Sequence, residues 1–136
     1  MELSELRDFF ALSPFMQDLG VQPTAVGPGT VTAELPLARR HLQHTGQAHA
    51  GVMATLADHA MGSAAQTLAP AGCWAITAEL KTSQLRPAKG ERLVCEAVVI
   101  KAGRNLSFTE AQVFAQVGEQ RTLVMKASAT MALVRQ

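Results

Sequence analysis

Residues 44–62 read HTGQAHAGVMATLADHAMG. They hold three of the chain's four histidines and one lone carboxylate, Asp58, in a run of small apolar residues. The helical neighbours of Asp58 at three and four positions, Ala54, Thr55, Met61 and Gly62, include no Lys or Arg, so no ion pair within a helix accounts for it. A carboxylate among small side chains leaves room for a substrate and has the chemistry of a general base or a nucleophile. The plainer alternative is a solvated carboxylate on a helix surface. Nine residues earlier stands His49-Ala50-Gly51, where that helix should begin. The first turn of a helix offers free backbone N–H groups at the positive end of the helix dipole. Such donors would stabilise a carbonyl oxygen as it gains negative charge. His49 either holds this turn by hydrogen bonding or assists the substrate.

The spacing separates the two features. Asp58 lies eight residues beyond Ala50, about 12 Å along one helix, so one carbonyl group cannot touch both. Either they are unrelated, or the helix start of one subunit meets Asp58 of another. Two such helices running antiparallel about a two-fold axis would bring them together twice. A metal site is the rival reading, because His41, His44, His49, His59 and Asp58 all have ligand chemistry. Their spacing fits it poorly: Asp58 and His59 point about 100° apart on a helix, and no HExxH-type pair exists. No metal is therefore expected. GxSxG, P-loop and GxGxxG motifs are also missing.

The elements that would carry these residues follow from patterning. Residues 4–12 read as a short N-terminal helix with Ser4 as its cap, ended by Ser13-Pro14. Residues 19–37 alternate after turn signals at Gly20, Pro23 and Gly27-Pro28-Gly29 and read as one half-buried strand, with Val31, Ala33 and Leu35 on one face. Residues 50–68 form the one long helix. It has no internal proline, it ends before Pro70, and it is rich in Ala and Gly, so a sheet can wrap closely around it. Strands follow over 74–85, 92–102, 106–116 and 122–134, joined by tight turns that indicate antiparallel pairing. The expected class is α+β.

The chain has 136 residues with 48% hydrophobic, enough for one domain with a core, residues 1–136. Twelve basic against eleven acidic residues leave a net charge of +1, which argues against nucleic-acid binding, and clusters such as Arg39-Arg40 read as solvated surface. No apolar run is long enough to cross a membrane. The opening MELSELRDFF has no signal-peptide pattern, and Cys73 and Cys95 read as free buried thiols, so a cytoplasmic protein is expected.

His49-Ala50-Gly51, then Thr55-Leu56-Ala57-Asp58, then TAELKTSQLRPAKGERLV over residues 77–94, resemble the hotdog-fold acyl-CoA thioesterases of the phenylacetic-acid-degradation (PaaI-like) type. The resemblance runs from about Phe15 to Leu133. It implies a five-stranded antiparallel sheet wrapped around the long helix, in a homodimer, often a homotetramer built as a dimer of dimers, with sites across the dimer interface. It implies hydrolysis of an acyl-CoA to a carboxylic acid and free CoA, with no cofactor. By resemblance Asp58 is the base or nucleophile and the Ala50 N–H holds the thioester oxygen. His49 precedes that donor, Gln43 lies near the attacked carbonyl, and Thr77 helps place the water. Gly51 and Leu56 belong to the substrate-contacting motif. Arg86, Lys89, Arg104 and Asn105 are candidates for CoA contact, or else solvated turn residues. Two departures stand out: Ala50 replaces the usual second residue of an HGG turn, a Gly, and Gln43 replaces the commoner Asn. The pocket should be mostly aliphatic, since the chain has five Phe, one Trp and no Tyr, and an aryl-acetyl or a medium-chain acyl group would fit. Two rivals remain: a non-catalytic acyl-CoA-binding hotdog module, which would not need Asp58, and a hotdog dehydratase, which would use a helix histidine as base.

Overall fold

The computed structural model describes all 136 residues. The helix α1 (Leu3–Ala11) buries Leu6 and Phe10, one turn apart on one face. It starts one residue earlier than expected, and Ser4 is inside it rather than capping it. Ser13-Pro14 does more than stop α1. The Ser13 hydroxyl accepts from the Met16 N–H and Pro14 occupies the first turn, so the pair opens a second short helix, α2 (Pro14–Leu19). Gly20, at φ +90°, closes α2 in the left-handed conformation that glycine adopts without strain.

The single strand expected over residues 19–37 is two. β1 (Gln22–Gly27) and β2 (Thr30–Pro36) form a hairpin that turns at Pro28-Gly29, with Gly29 at φ +71°. The sheet therefore has six strands rather than five. Val31, Ala33 and Leu35 are buried on its inner face as expected. The remaining elements are α3 (Ala50–Leu68), β3 (Cys73–Gln84), β4 (Arg92–Ala102), β5 (Leu106–Val117) and β6 (Gln120–Arg135). Strand order is β1-β2-β4-β5-β6-β3, and every pair is antiparallel.

The inner face carries Leu93, Cys95 and Ala97 on β4, Ala111, Val113 and Ala115 on β5, and Met125, Ala127, Ala129 and Met131 on β6. Against it α3 buries Met53, Leu56, Ala57, Ala60, Met61, Ala64 and Ala65. Alanine on both surfaces brings helix and sheet close and lets the sheet curl around α3. No helix is long and apolar enough to cross a membrane. The two cysteines are free. Burial, with Glu96 beside it, pushes the Cys95 thiol up to about 12, which makes it inert, whereas Cys73 is only half-buried.

The two ends of the sheet differ. β3 is an edge strand of twelve residues, none of them buried. Its upper end is held by α3: Gln66 Nε2 donates to the Cys73 carbonyl and Gln66 Oε1 accepts from the Ala75 N–H, both at 2.9 Å. Beyond Ala75 the edge leaves Ile76 52% exposed on the outer face and, past a bulge between Thr77 and Glu79, Leu80 38% exposed opposite Ala129. At the other edge α1 packs on β1 and reaches across to α3 and β3 with Phe9, whose ring stacks on His59 (6.3 Å) and Trp74 (5.8 Å).

Candidate active site

The segment before α3 is built from hydrogen bonds that aim the helix start. His41 is fully buried: its Nδ1 accepts from the Ala38 N–H at 2.9 Å, and its Nε2–H donates to the Leu19 carbonyl at 2.8 Å. This pattern fixes a neutral tautomer and makes His41 structural. The His49 N–H donates to the His41 carbonyl and the Ala48 N–H to the Ala88 carbonyl, both at 2.9 Å. His49 then caps α3, with Nδ1 accepting from the Gly51 N–H at 2.8 Å, while the Val52 and Met53 N–H groups donate to the His49 carbonyl.

These bonds occupy the first-turn donors of α3 except one. The Ala50 N–H donates to no carbonyl or side chain of the chain, and Ala50 is exposed. A free N–H at the positive end of a 19-residue helix is suited to hold a developing oxyanion.

Asp58 sits in the middle of α3, half-buried. Thr77, on the facing edge strand β3, donates its hydroxyl to Asp58 Oδ1 at 2.6 Å and also approaches Met131 Sδ at 3.5 Å. Neither of the chain's two ion pairs, Arg92–Glu34 and Arg121–Glu96, involves Asp58. The carboxylate is thus oriented by a neutral donor and left free to act on a proton. Next to it, His59 is enclosed by Phe9 and by Phe10, whose ring meets it edge-on at 4.3 Å. Burial lowers the His59 pKa below the usual 6.5, the nearby Asp58 charge opposing the shift, and Nε2 is buried without a partner.

The expected site residues fall into groups. Asp58 and Thr77 are joined directly. Ala50, His49 and Gly51 share the helix start, with the Gly51 N–H already taken. The Gln43 side chain is committed within its own loop, donating to Thr45 Oγ1 (2.9 Å) and Gln47 Oε1 (3.3 Å). Leu56 is corrected: it is fully buried in the core and has no surface for a ligand. Arg86 is tied down as well, its guanidinium donating to the Leu123 carbonyl at 2.8 Å. Lys89 lines a cleft of about 320 Å3 beside the segment that precedes α3. Arg104 and Asn105 lie at the opposite end of α3. The Gly29 N–H bonds Thr67 near the helix C-terminus, and the Val99 N–H of β4 bonds Gly29, which carries the β4–β5 turn to that end. A larger concavity of about 770 Å3 opens on the outer face of the sheet, among Thr30, Glu96, Glu110, Lys81 and Lys126, and contains none of the expected residues. No three His, Cys, Asp or Glu side chains gather to hold a metal.

Two features escaped the sequence reading. Gln66 pins the β3 edge, and the Phe9–His59–Trp74 stack joins α1 to the carboxylate's neighbour. A glutamine near a helix end and rings 50 and 65 residues apart in sequence carry no local pattern.

A family model described as "Thioesterase superfamily" matches residues 45–122. Acyl-coenzyme A thioesterase 13 of Homo sapiens is 31% identical over 86 residues, 62% of this chain and 61% of that protein, so the match spans about three-fifths of the relative's length. A putative esterase of Halobacterium salinarum is 32% identical over 70% of this chain and 66% of its own. The crystal structure of a thioesterase family protein from Silicibacter pomeroyi superposes with a TM-score of 0.93 at 34% identity, covering 96% of both chains.

Proposed function

The chain belongs to the thioesterase superfamily, with the hotdog fold, and on that footing we propose that it hydrolyses an acyl-CoA thioester to a carboxylic acid and free CoA. The observation that carries this reading is the pairing of one unbonded N–H, at Ala50, with one oriented carboxylate, at Asp58. Water attacks the thioester carbonyl while Asp58 takes its proton. The Ala50 N–H and the α3 dipole hold the negative oxygen. The C–S bond then breaks, and the proton passes to the departing thiolate of CoA. In this reading Thr77 fixes the carboxylate.

Ala50 and Asp58 are about 12 Å apart along α3, so we take the site to be shared by two copies that meet at the β3 edge. An uncovered edge with exposed Ile76 and Leu80 favours strand addition. Gln66 already occupies the backbone at Cys73 and Ala75, so the available stretch is residues 76–84, centred on Leu80. Helix geometry gives nearly the same centre independently. The midpoint between Ala50 and Asp58 lies about 6 Å back along α3, roughly two strand residues past Thr77 on the antiparallel β3. A two-fold axis there would set each free N–H against the partner's carboxylate. Finer expectations remain part of this proposal: a PaaI-like enzyme of phenylacetic-acid degradation, acting on aryl-acetyl or medium-chain esters, cytoplasmic, and assembled as a dimer of dimers. Against a dehydratase, of the two histidines it could use as base, His59 is walled in by Phe9 and Phe10, and His49 holds the helix start by accepting from the Gly51 N–H.

The test is a panel of acyl-CoAs with a thiol-detecting reagent, wild type beside Asp58→Asn. Release of CoA by the wild type and its loss in the variant is expected. Equal activity in both sinks the proposal.

A further inference from the structure

We propose that the cleft beside the start of α3 holds the phosphate end of the thioester's carrier group, through Arg39 and Lys89. The proposal rests on the thioesterase reading; of the four residues the resemblance offers for CoA contact it keeps only Lys89, and it adds Arg39 and the cleft between them.

Charge is distributed unevenly around the helix start. Residues 36–57 contain no Asp or Glu, and neither do residues 80–90, although the whole chain is nearly neutral. These two segments meet where the Ala48 N–H donates to the Ala88 carbonyl, two residues before Ala50. Together they carry five cations; Lys81 lines the concavity on the outer face of the sheet, which leaves Arg39, Arg40, Arg86 and Lys89 around the helix start. Two are committed: Arg40 donates to the Leu19 carbonyl at 3.0 Å and Arg86 to the Leu123 carbonyl at 2.8 Å. Arg39 and Lys89 take part in no side-chain hydrogen bond or ion pair of the chain. Both line the cleft of about 320 Å3, whose apolar wall is Leu37, Leu42 and Ala88. The nearest carboxylate in sequence, Glu91, accepts from the Gly118 N–H at 2.9 Å and is thereby held toward the β5–β6 turn.

Two uncommitted cations over an apolar wall, beside the donor that would hold the thioester oxygen, match a ligand with an acyl thioester at one end and phosphate at the other. Phosphate pairs with Arg and Lys through charge-assisted hydrogen bonds. The apolar wall suits the uncharged parts of the carrier group. Free CoA and the phosphopantetheine arm of a carrier protein share this chemistry.

The experiment compares kcat/KM for three esters of one acyl group: acyl-CoA, acyl-4′-phosphopantetheine and the phosphate-free acyl-pantetheine. In Arg39→Ala/Lys89→Ala, the ratio of acyl-CoA to acyl-pantetheine should fall roughly tenfold, and the charge-retaining Arg39→Lys/Lys89→Arg should recover most of it. An equal fall for acyl-4′-phosphopantetheine assigns the cleft to the single phosphate of a carrier arm. A fall confined to acyl-CoA assigns it to the nucleotide end. An unchanged ratio, or equal losses on all three esters, overturns the proposal. If the wild type cleaves no ester, the catalytic reading fails on its own. Calorimetric binding of CoA to wild type and double variant then decides the cleft, and undiminished binding in the variant overturns it.

Discussion

Replacing Ala50 by proline removes one N–H and almost nothing else. His49 has φ −64° and ψ 139°, the extended conformation that a residue before proline requires. Ala50 is the first residue of α3, the helical position proline tolerates best, and its N–H donates to nothing in the chain. Ala50→Pro should therefore fold with unchanged or slightly raised stability, by up to about 1 kcal/mol from the stiffer unfolded chain. If that N–H holds the thioester oxygen, its loss should lower kcat by about 10²–10³, equivalent to roughly 2.7–4 kcal/mol of transition-state stabilisation. The assay is thiol release under saturating substrate, with a thermal melt on the same sample. A variant that melts like wild type and turns over like wild type refutes the assignment of the donor.

The same substitution tests whether two chains share the site. Ala50→Pro and Asp58→Asn are each expected to be inactive. A hybrid of the two keeps one intact site, formed by Ala50 of the second variant and Asp58 of the first. Unfolding and refolding the mixture should restore activity that neither variant has alone. If native mass spectrometry shows hybrids while activity stays absent, the shared site is refuted.

Thr77→Val removes a short bond to a carboxylate but keeps side-chain shape. Because Thr77 is exposed, the low end of the range applies, about 1.5 kcal/mol or roughly tenfold in kcat, and the loss should vanish in an Asp58→Asn background; an equal loss there would make Thr77 structural only. Gln66→Met deletes two bonds that tie β3 to α3, about 2 kcal/mol, and should lower Tm by roughly 6–10 °C; an unchanged melt contradicts the clamp. Burial lowers the His59 pKa, so the unfolded chain binds that proton more readily. The resulting stability is complete above pH 6.5 and lost as pH falls through the folded-state value. His59→Phe should therefore melt less steeply than wild type between about pH 7.5 and pH 5, and parallel curves would refute that. Leu80→Asp puts two like charges near the proposed axis and should yield inactive monomers with native circular dichroism; a variant still dimeric by sedimentation rules out β3 as the interface.

Much of this molecule is written in local pattern, and the exceptions have identifiable causes. The limits of α3 are legible because a stretch rich in alanine, leucine and methionine runs without proline to Pro70, and those of β4 because its alternation is framed by Gly90 and Gly103. β1 and β2 merge in the sequence because both alternate and only Pro28-Gly29 lies between them. Ser13-Pro14 serves both as a stop and as a start, and only the Met16 N–H bonded to Ser13 tells which. Asp58 is conspicuous, but its bond to Thr77, nineteen residues on, follows from how β3 closes on α3. Arg39 and Arg40 look identical in sequence. The carbonyl of Leu19 is what commits one and leaves the other free.

The places where the chain breaks ordinary rules gather at one end and one edge. A helix normally satisfies its first donors, a long apolar strand edge is normally covered, and cations are normally mixed with carboxylates. Here Ala50 keeps an unbonded N–H, β3 keeps an open edge, and residues 36–57 and 80–90 beside them hold cations and no carboxylate. Sequences tend to violate such consistency where function requires it. Each irregularity has its own complement: a developing oxyanion for the N–H, a second strand for the edge, a phosphate for the cations. A thioester bound between two copies of this chain supplies all three, whereas three unrelated defects would have no reason to adjoin.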